Sequence, residues 1–296
     1  MSDVNIEASV VKVDAGDLPE SANLLIEKIS RAVGGVLAPW QIVRMAKAEA
    51  AAALIRTKSG VQVTQLQRRM AARILDEETQ RQMVIEQVTA KAIPLLIATA
   101  DPSQMDDDWT RNFFEKVRII SNEQMQTLWS RVLAGEANAP GTFSKRTINI
   151  LSDLDASDAR SFSSLGNFTW SFGPLVTNLH HKIYPINGIT KDALRHLESL
   201  GLIFNLDMVE KSVTIGGIGL APVEYQGRKL WIGTRDGSGW ATSTGQIIFT
   251  RSGRELLQAC KQTPVEGYWE HVLETWGSIF KTEQEPKGEC SPVVIL

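Results

Sequence analysis

The sequence predicts a mainly α protein, with an N-terminal helical region reaching to about Phe172 and a smaller α+β domain after it. Three observations carry this expectation. Apolar residues recur three and four positions apart through most of the first half, the period of an amphipathic helix. After Asp158 glycine, threonine and aromatic residues become frequent. From Ile189 to Cys260 a helical pattern gives way to short apolar runs and then returns.

A chain of 296 residues has room for roughly two domains, and 43% hydrophobic with 22% charged residues is ordinary globular composition. The net charge of -3 gives no overall attraction to nucleic acid or anionic membrane, so any such binding must come from a local patch. Two cysteines, Cys260 and Cys290, cannot staple a chain of this size, and the first residues lack a charged start followed by an apolar run. A cytoplasmic location is the resulting expectation. The longest apolar stretches, Ala48 to Ile55 and Ile93 to Ala100, fall short of the roughly 18 residues of a spanning helix, so no membrane span is expected.

Residues 1–20 read as a mobile lead, and 21–172 as the helical domain. Leu24, Leu25, Ile29 and Val33 give a first helix that stops at Gly34 and Gly35. Pro39 opens a second, alanine-rich helix that runs to Lys58 and closes at Ser59 and Gly60. From Val61 to about Ile93 a long helix carries Val63, Leu66, Met70, Ile74, Val84, Ile85 and Val88 on or near one face, and ends before Pro94. The apolar spacing slips between Asp76 and Gln82, which argues for a helical hairpin with the preceding helix rather than a sustained coiled coil. Self-association through this pair is one partner expectation.

Asp106, Asp107 and Asp108 precede WTRNFFEKV, where acidic residues cap the next helix and face the positive end of its dipole. In SNEQMQTLWSRVLAGE, Ser121 is the expected N-cap with Gln124 closing a capping box, and Gly135 the expected stop. Met125, Leu128, Trp129, Val132 and Leu133 form the apolar stripe between them. Asn138, Pro140 and Gly141 supply the turn, and Ser144 caps KRTINILSDL. The order DW-x-x-x-FF followed by ISNEQMQTLWSRVLAGEANAPGTFSKRTINILSDLDASDARSF resembles the bacterial domain-of-unknown-function family numbered 2806, and more loosely the abortive-infection alpha proteins of bacteria. The resemblance is densest from Asp108 to Phe162. It implies a bacterial helical protein and transfers no active site; a part in phage defence is implied only through the looser relative.

Residues 173–262 form the second expected domain. There ITKDALRHLESLGLIF reads as a capped helix running into a strand, RKLWIGT and GQIIFTRS as further strands, and SGRELLQAC as a closing helix, an order that looks winged-helix-like. Residues 263–284 follow as an aromatic helix with Trp269, Val272, Leu273, Trp276 and Phe280 on one face, and 285–296 as a disordered tail.

Two surfaces are candidates for binding. The first is a basic patch of Arg44, Lys47, Arg56, Lys58, Arg68, Arg69 and Arg73, opposed within Gln41 to Leu75 by Glu49 alone. It could neutralise phosphates or attract an acidic partner; the plainer alternative is a solvated helical face balanced by Asp76, Glu77 and Glu78. The second is the winged-helix-like surface of Lys191, Arg195, Arg228, Lys229 and Arg251. Ten basic residues against seven acidic ones from Lys182 to Lys261 make a small surplus for a nucleic-acid surface.

Catalytic signatures are weaker. His180 and His181 are adjacent and have no cysteine at a metal-ligand spacing, and Asp153, Asp155 and Asp158 read as helix caps rather than a calcium loop. The glycines of IGGIGLAP and GTRDGSGWATSTG match no complete phosphate-binding motif and read as turns between strands. No catalytic, cofactor-binding or metal-ligating residues are assigned, and no cofactor is expected. The reading is an interaction protein with a protein partner; the alternatives are a DNA-binding regulator and an enzyme without a recognisable motif.

Overall fold

The computed structural model describes residues 18–33, 65–205, 214–218, 220–233, 239–277, 281–283 and 294–295. The chain divides into two compact units, 1–148 and 149–296, upstream of the Gly173 at which the composition changes. The expected second helix, Pro39 to Lys58, lies outside the described residues. The architecture is mainly α with a small α+β region.

In the first unit α1 (Glu20–Ala32) buries Ala22, Leu25 and Ile29. Its Lys28 is buried along the stem while its ammonium reaches Asp107 at 2.5 Å, so the apolar part of the side chain is packed and the charge is paired. The long helix α2 (Gln65–Ala92) is continuous and passes into a 3-10 turn at Ile93–Leu95, where Pro94 lacks the amide the helix would need. Asp106 caps α3 (Asp107–Val117) by accepting from the Trp109 amide at 2.7 Å. After α3 come α4 (Glu123–Asn138) and α5 (Lys145–Asp153), the latter capped by Ser144, which accepts from the Thr147 amide at 3.3 Å. Phe113, Phe114, Val117, Trp129, Val132 and Leu133 are buried together, with the Phe113 and Trp129 rings edge-to-face at 5.1 Å.

Two expectations for α4 need correction. Its N-cap is Asn122, not Ser121: the Asn122 carboxamide oxygen accepts from the Met125 amide at 3.0 Å, and Ser121 is exposed one residue outside. Gly135 is not the stop either, because the helix continues to Asn138. The glycine is instead a close-packing site. A Cβ there would stand 2.8 Å from Cε2 of the buried Phe143 ring.

The unit boundary falls within α5, and the first helix wholly in the second unit is α6 (Ala156–Gly166), whose capping box pairs Asp155 with Asp158. A minimal hairpin of β1 (Thr169–Trp170) and β2 (Gly173–Pro174) leads to α7 (Ile183–Ile186) and to α8 (Lys191–Ser199), which Thr190 caps. Next come β3 (Ile203–Asn205), β4 (Thr214–Ile218), β5 (Ala221–Tyr225), β6 (Arg228–Gly233), β7 (Gly239–Ser243) and β8 (Ile247–Phe249). All pairing is antiparallel, β3 with β8, β4 with β7 and β5 with β6, so the pair β3–β8 carries the other four strands as an excursion between its members. Then follow α9 (Arg251–Ala259), α10 (Tyr268–Gly277), β9 (Lys281–Glu283) beside β6, and β10 (Val294–Ile295) beside β4. Val294 and Ile295 belong to the stretch read as a disordered tail, most of which lies outside the described residues.

Glycines read as turns occupy strands here. Gly216 and Gly217 sit in β4 opposite Ala241 and Trp240, and Gly239 opposite Ile218, because pairing with a distant strand, not local preference, decides their conformation. Gly253 in α9 is held for another reason: a Cβ there would meet the Leu202 carbonyl oxygen at 2.0 Å.

Candidate interaction surfaces

On α8 the apolar side chains Leu194 and Leu197 are buried, which turns Lys191, Asp192, Arg195 and Glu198 outward. Two bases and two acids therefore share the exposed face, and Arg195 already pairs with Asp192 at 3.7 Å. His196 is exposed but engaged: its Nε2 lies 2.7 Å from Oδ1 of Asp158, whose other oxygen accepts from the Asp155 amide at 3.0 Å in the capping box of α6. One carboxylate thus orders two helices.

The remaining basic residues of the expected winged-helix-like surface lie on separate elements. Arg228 and Lys229 open β6, where the Arg228 guanidinium carbon sits 4.0 Å from the centre of the Trp269 ring, a cation–π geometry. Arg251 begins α9 and pairs through Nε with Glu255 at 2.8 Å. These cations are exposed, and two of them, Arg228 and Arg251, are engaged by neighbours.

Of the first basic patch, Arg44, Lys47, Arg56 and Lys58 lie outside the described residues, and Arg68 is placed in α2 by its backbone. Arg69 and Arg73 are exposed on the same helix, and Arg73 pairs with Glu77 at 3.4 Å. The same helix presents Leu66, Met70 and Ile74 at 59%, 47% and 53% exposure, values far above those of core side chains.

An aromatic assembly in the second unit escaped the sequence reading. The Trp170 indole stacks on Trp269 at 5.6 Å and donates to the Tyr268 hydroxyl at 3.0 Å, which donates in turn to the Leu175 carbonyl at 2.7 Å. Burial pushes the Tyr268 phenol well above its ordinary range, so it stays a neutral donor. The Tyr225 hydroxyl accepts from the Val265 amide and donates to the Asn167 carbonyl, both at 2.9 Å. At the rim, His181 stacks on His271 at 3.9 Å, and burial followed by the charge of His181 lowers the His271 pKa. Residues this far apart in sequence carry no shared periodic signal, and the cluster is spent on docking α10 within its unit.

Among the described residues no group of three His, Cys, Asp or Glu side chains converges to hold a metal ion. No helix among them is long and apolar enough to cross a membrane. A family model described as a protein of unknown function (DUF2806) matches residues 68–273. No curated protein and no solved structure matches the chain.

Proposed function

The chain belongs to the family of proteins of unknown function DUF2806, and from that premise we propose that it is a non-catalytic interaction protein. Its second unit would act as a winged-helix-like module turned toward a protein partner rather than duplex DNA. The observation that carries this reading is the exposed face of α8, where Lys191 and Arg195 are offset by Asp192 and Glu198. A helix that enters the major groove must approach two phosphate backbones, and a balanced face supplies no net attraction to them. A cytoplasmic place agrees with the low cysteine content, and a part in phage defence rests on the looser resemblance to abortive-infection alpha proteins.

The test is a fluorescence-anisotropy titration of the whole protein against labelled duplexes at several salt concentrations. Binding no tighter than the nonspecific range, roughly 10⁻⁴ to 10⁻⁶ M at physiological salt, is the expected result. Tight, sequence-dependent binding that disappears when Arg228 and Lys229 are both changed to Glu, with the melting temperature preserved, would establish the DNA-binding regulator instead. For the defence role, a bacterial host expressing the protein should plate phage less efficiently than one without it; equal plating against a broad phage panel removes that role.

A further inference from the structure

Two stretches of the second unit meet through a pair of imidazoles. Residues 178–181 form a tight turn, in which the Asn178 side-chain oxygen accepts from the His180 amide and the Asn178 carbonyl from the His181 amide, both at 3.0 Å. That turn lays the His181 ring on the ring of His271, in the first turn of α10, at 3.9 Å with 16° between the planes. From α7 the Tyr184 ring stands nearly perpendicular to His271 at 5.9 Å.

Protonation works against every contact of this pair. His181 Nδ1 accepts from the Ile183 amide at 3.4 Å at the start of α7, a bond that a proton on Nδ1 abolishes. His271 Nε2 is buried and meets no hydrogen-bond partner among the described residues, so a proton there finds no acceptor. A charge on each ring would set two cations face to face with no solvent between them. The titratable groups around the pair are His180 and Lys182 beside His181, Tyr184 on α7, and Glu270 and Glu274 on α10. Of these Glu274 favours a charged His271, and burial together with His181 outweighs it.

We propose that the stacked His181–His271 pair is an acid-sensitive catch, which holds the 178–181 turn on α10 near neutral pH and releases it on acidification. The sign follows from proton counts. Separated and exposed, the two imidazoles take up two protons below the ordinary value near 6.5, whereas the stacked pair takes up at most one without repulsion. Opening therefore binds a proton below that pH, and acid favours it. Above that pH opening binds none, and the stack holds. The release is local, because α10 stays docked by the Tyr268 hydroxyl on the Leu175 carbonyl and by Trp269 against Trp170, neither of which takes up a proton in this range. The catch works within the second unit whatever partner α8 meets.

Hydrogen exchange of the full chain at about pH 7.5 and about pH 5.5, corrected for the intrinsic pH dependence of amide exchange, tests the catch. One unit below the ordinary imidazole value, uptake of one proton should raise the opening constant about tenfold, read at the amides of Ile183 and Tyr184. The amides of β5 and β6 should keep their protection. His271→Phe and His181→Phe each keep a ring in the stack and remove one of the two charges, so each should bring the rise below about threefold. His180→Gln, outside the stack, should leave it at about tenfold. A wild-type chain with no rise, a full rise that survives either Phe substitution, or an equal rise throughout the β5–β6 hairpin overturns the proposal. Imidazole NMR titration of the unsubstituted chain keeps the test open if a variant fails to fold. His181 and His271 should titrate there as a coupled pair, and two independent single-proton curves overturn the proposal as well.

Discussion

The Phe143 ring lies against the face of α4 at Gly135, so close that a Cβ on that residue would stand 2.8 Å from Cε2. In a solvent-facing helix, Gly→Ala would stabilise by about 1 kcal/mol. Here the added methyl must displace a buried ring, and overpacking of this kind costs about 1 to 3 kcal/mol. Gly135→Ala should therefore lower stability in a denaturant titration, the opposite sign from helix propensity. A more stable variant would show that Phe143 yields freely.

The same loop is fastened by the Glu136 carboxylate, which is buried and accepts from the Gly141 amide at 2.7 Å and the Phe143 amide at 2.9 Å. Glu136→Gln keeps the shape but turns an NH2 group toward one of these donors. A loss of about 1.5 to 3 kcal/mol is expected, in line with hydrogen bonds to a charged group. Urea unfolding of the pair measures it, and equal midpoints would mean the loop holds without the carboxylate.

Trp129 is fully buried on the edge of Phe113. Trp129→Ala should cost about 3 to 5 kcal/mol. Thermal melting provides the comparison; an unchanged melting temperature would contradict its role as a packing anchor.

Gly253 meets backbone rather than a side chain, since its missing Cβ would fall 2.0 Å from the Leu202 carbonyl oxygen. A carbonyl in the turn before β3 cannot swing away as a side chain does. Gly253→Ala should separate α9 from that turn and destabilise the second unit more than Gly135→Ala destabilises the first. Hydrogen exchange at the amides of β3, β8 and α9 would report the difference, and unaltered protection there would refute it.

His271 gives the protein a pH response of definite sign. Burial and the neighbouring His181 hold its pKa below the ordinary value near 6.5, so below that pH the unfolded chain binds the proton more readily. Its contribution to stability is present above about pH 6.5 and declines as the pH falls toward the depressed folded value. The melting temperature should drop on acidification through this window, and less steeply in His271→Phe. Parallel pH profiles for the two proteins would assign the drop to other groups.

Much of the first unit was legible because its signals are local. Asp106 and Ser144 cap the helices they precede, Pro94 ends α2, and Leu128, Trp129, Val132 and Leu133 are the buried stripe of α4. The N-cap of α4 was misplaced by one residue between two good capping types, Ser121 and Asn122; for the misread glycines, a group elsewhere in the fold had overridden a local preference. Gly135 has the chemistry of a stop but is occupied by Phe143, and Gly216 and Gly217 have the chemistry of a turn but are paired with β7.

The candidate surfaces divide in the same way. The presence of Lys191, Arg195, Arg228, Lys229 and Arg251, and of Leu66, Met70 and Ile74 on one helical face, could be read from sequence because charge and period are properties of the chain itself. Which of those cations are already engaged, and which apolar residues go uncovered, depended on tertiary structure: Arg251 on Glu255, Arg228 over Trp269, and a ridge of α2 that is core at Val88 and open at Leu66. The physical reason is that burial and pairing are relations between residues far apart in sequence. Periodicity identifies a face that can be buried, and only the packed chain determines what lies against it.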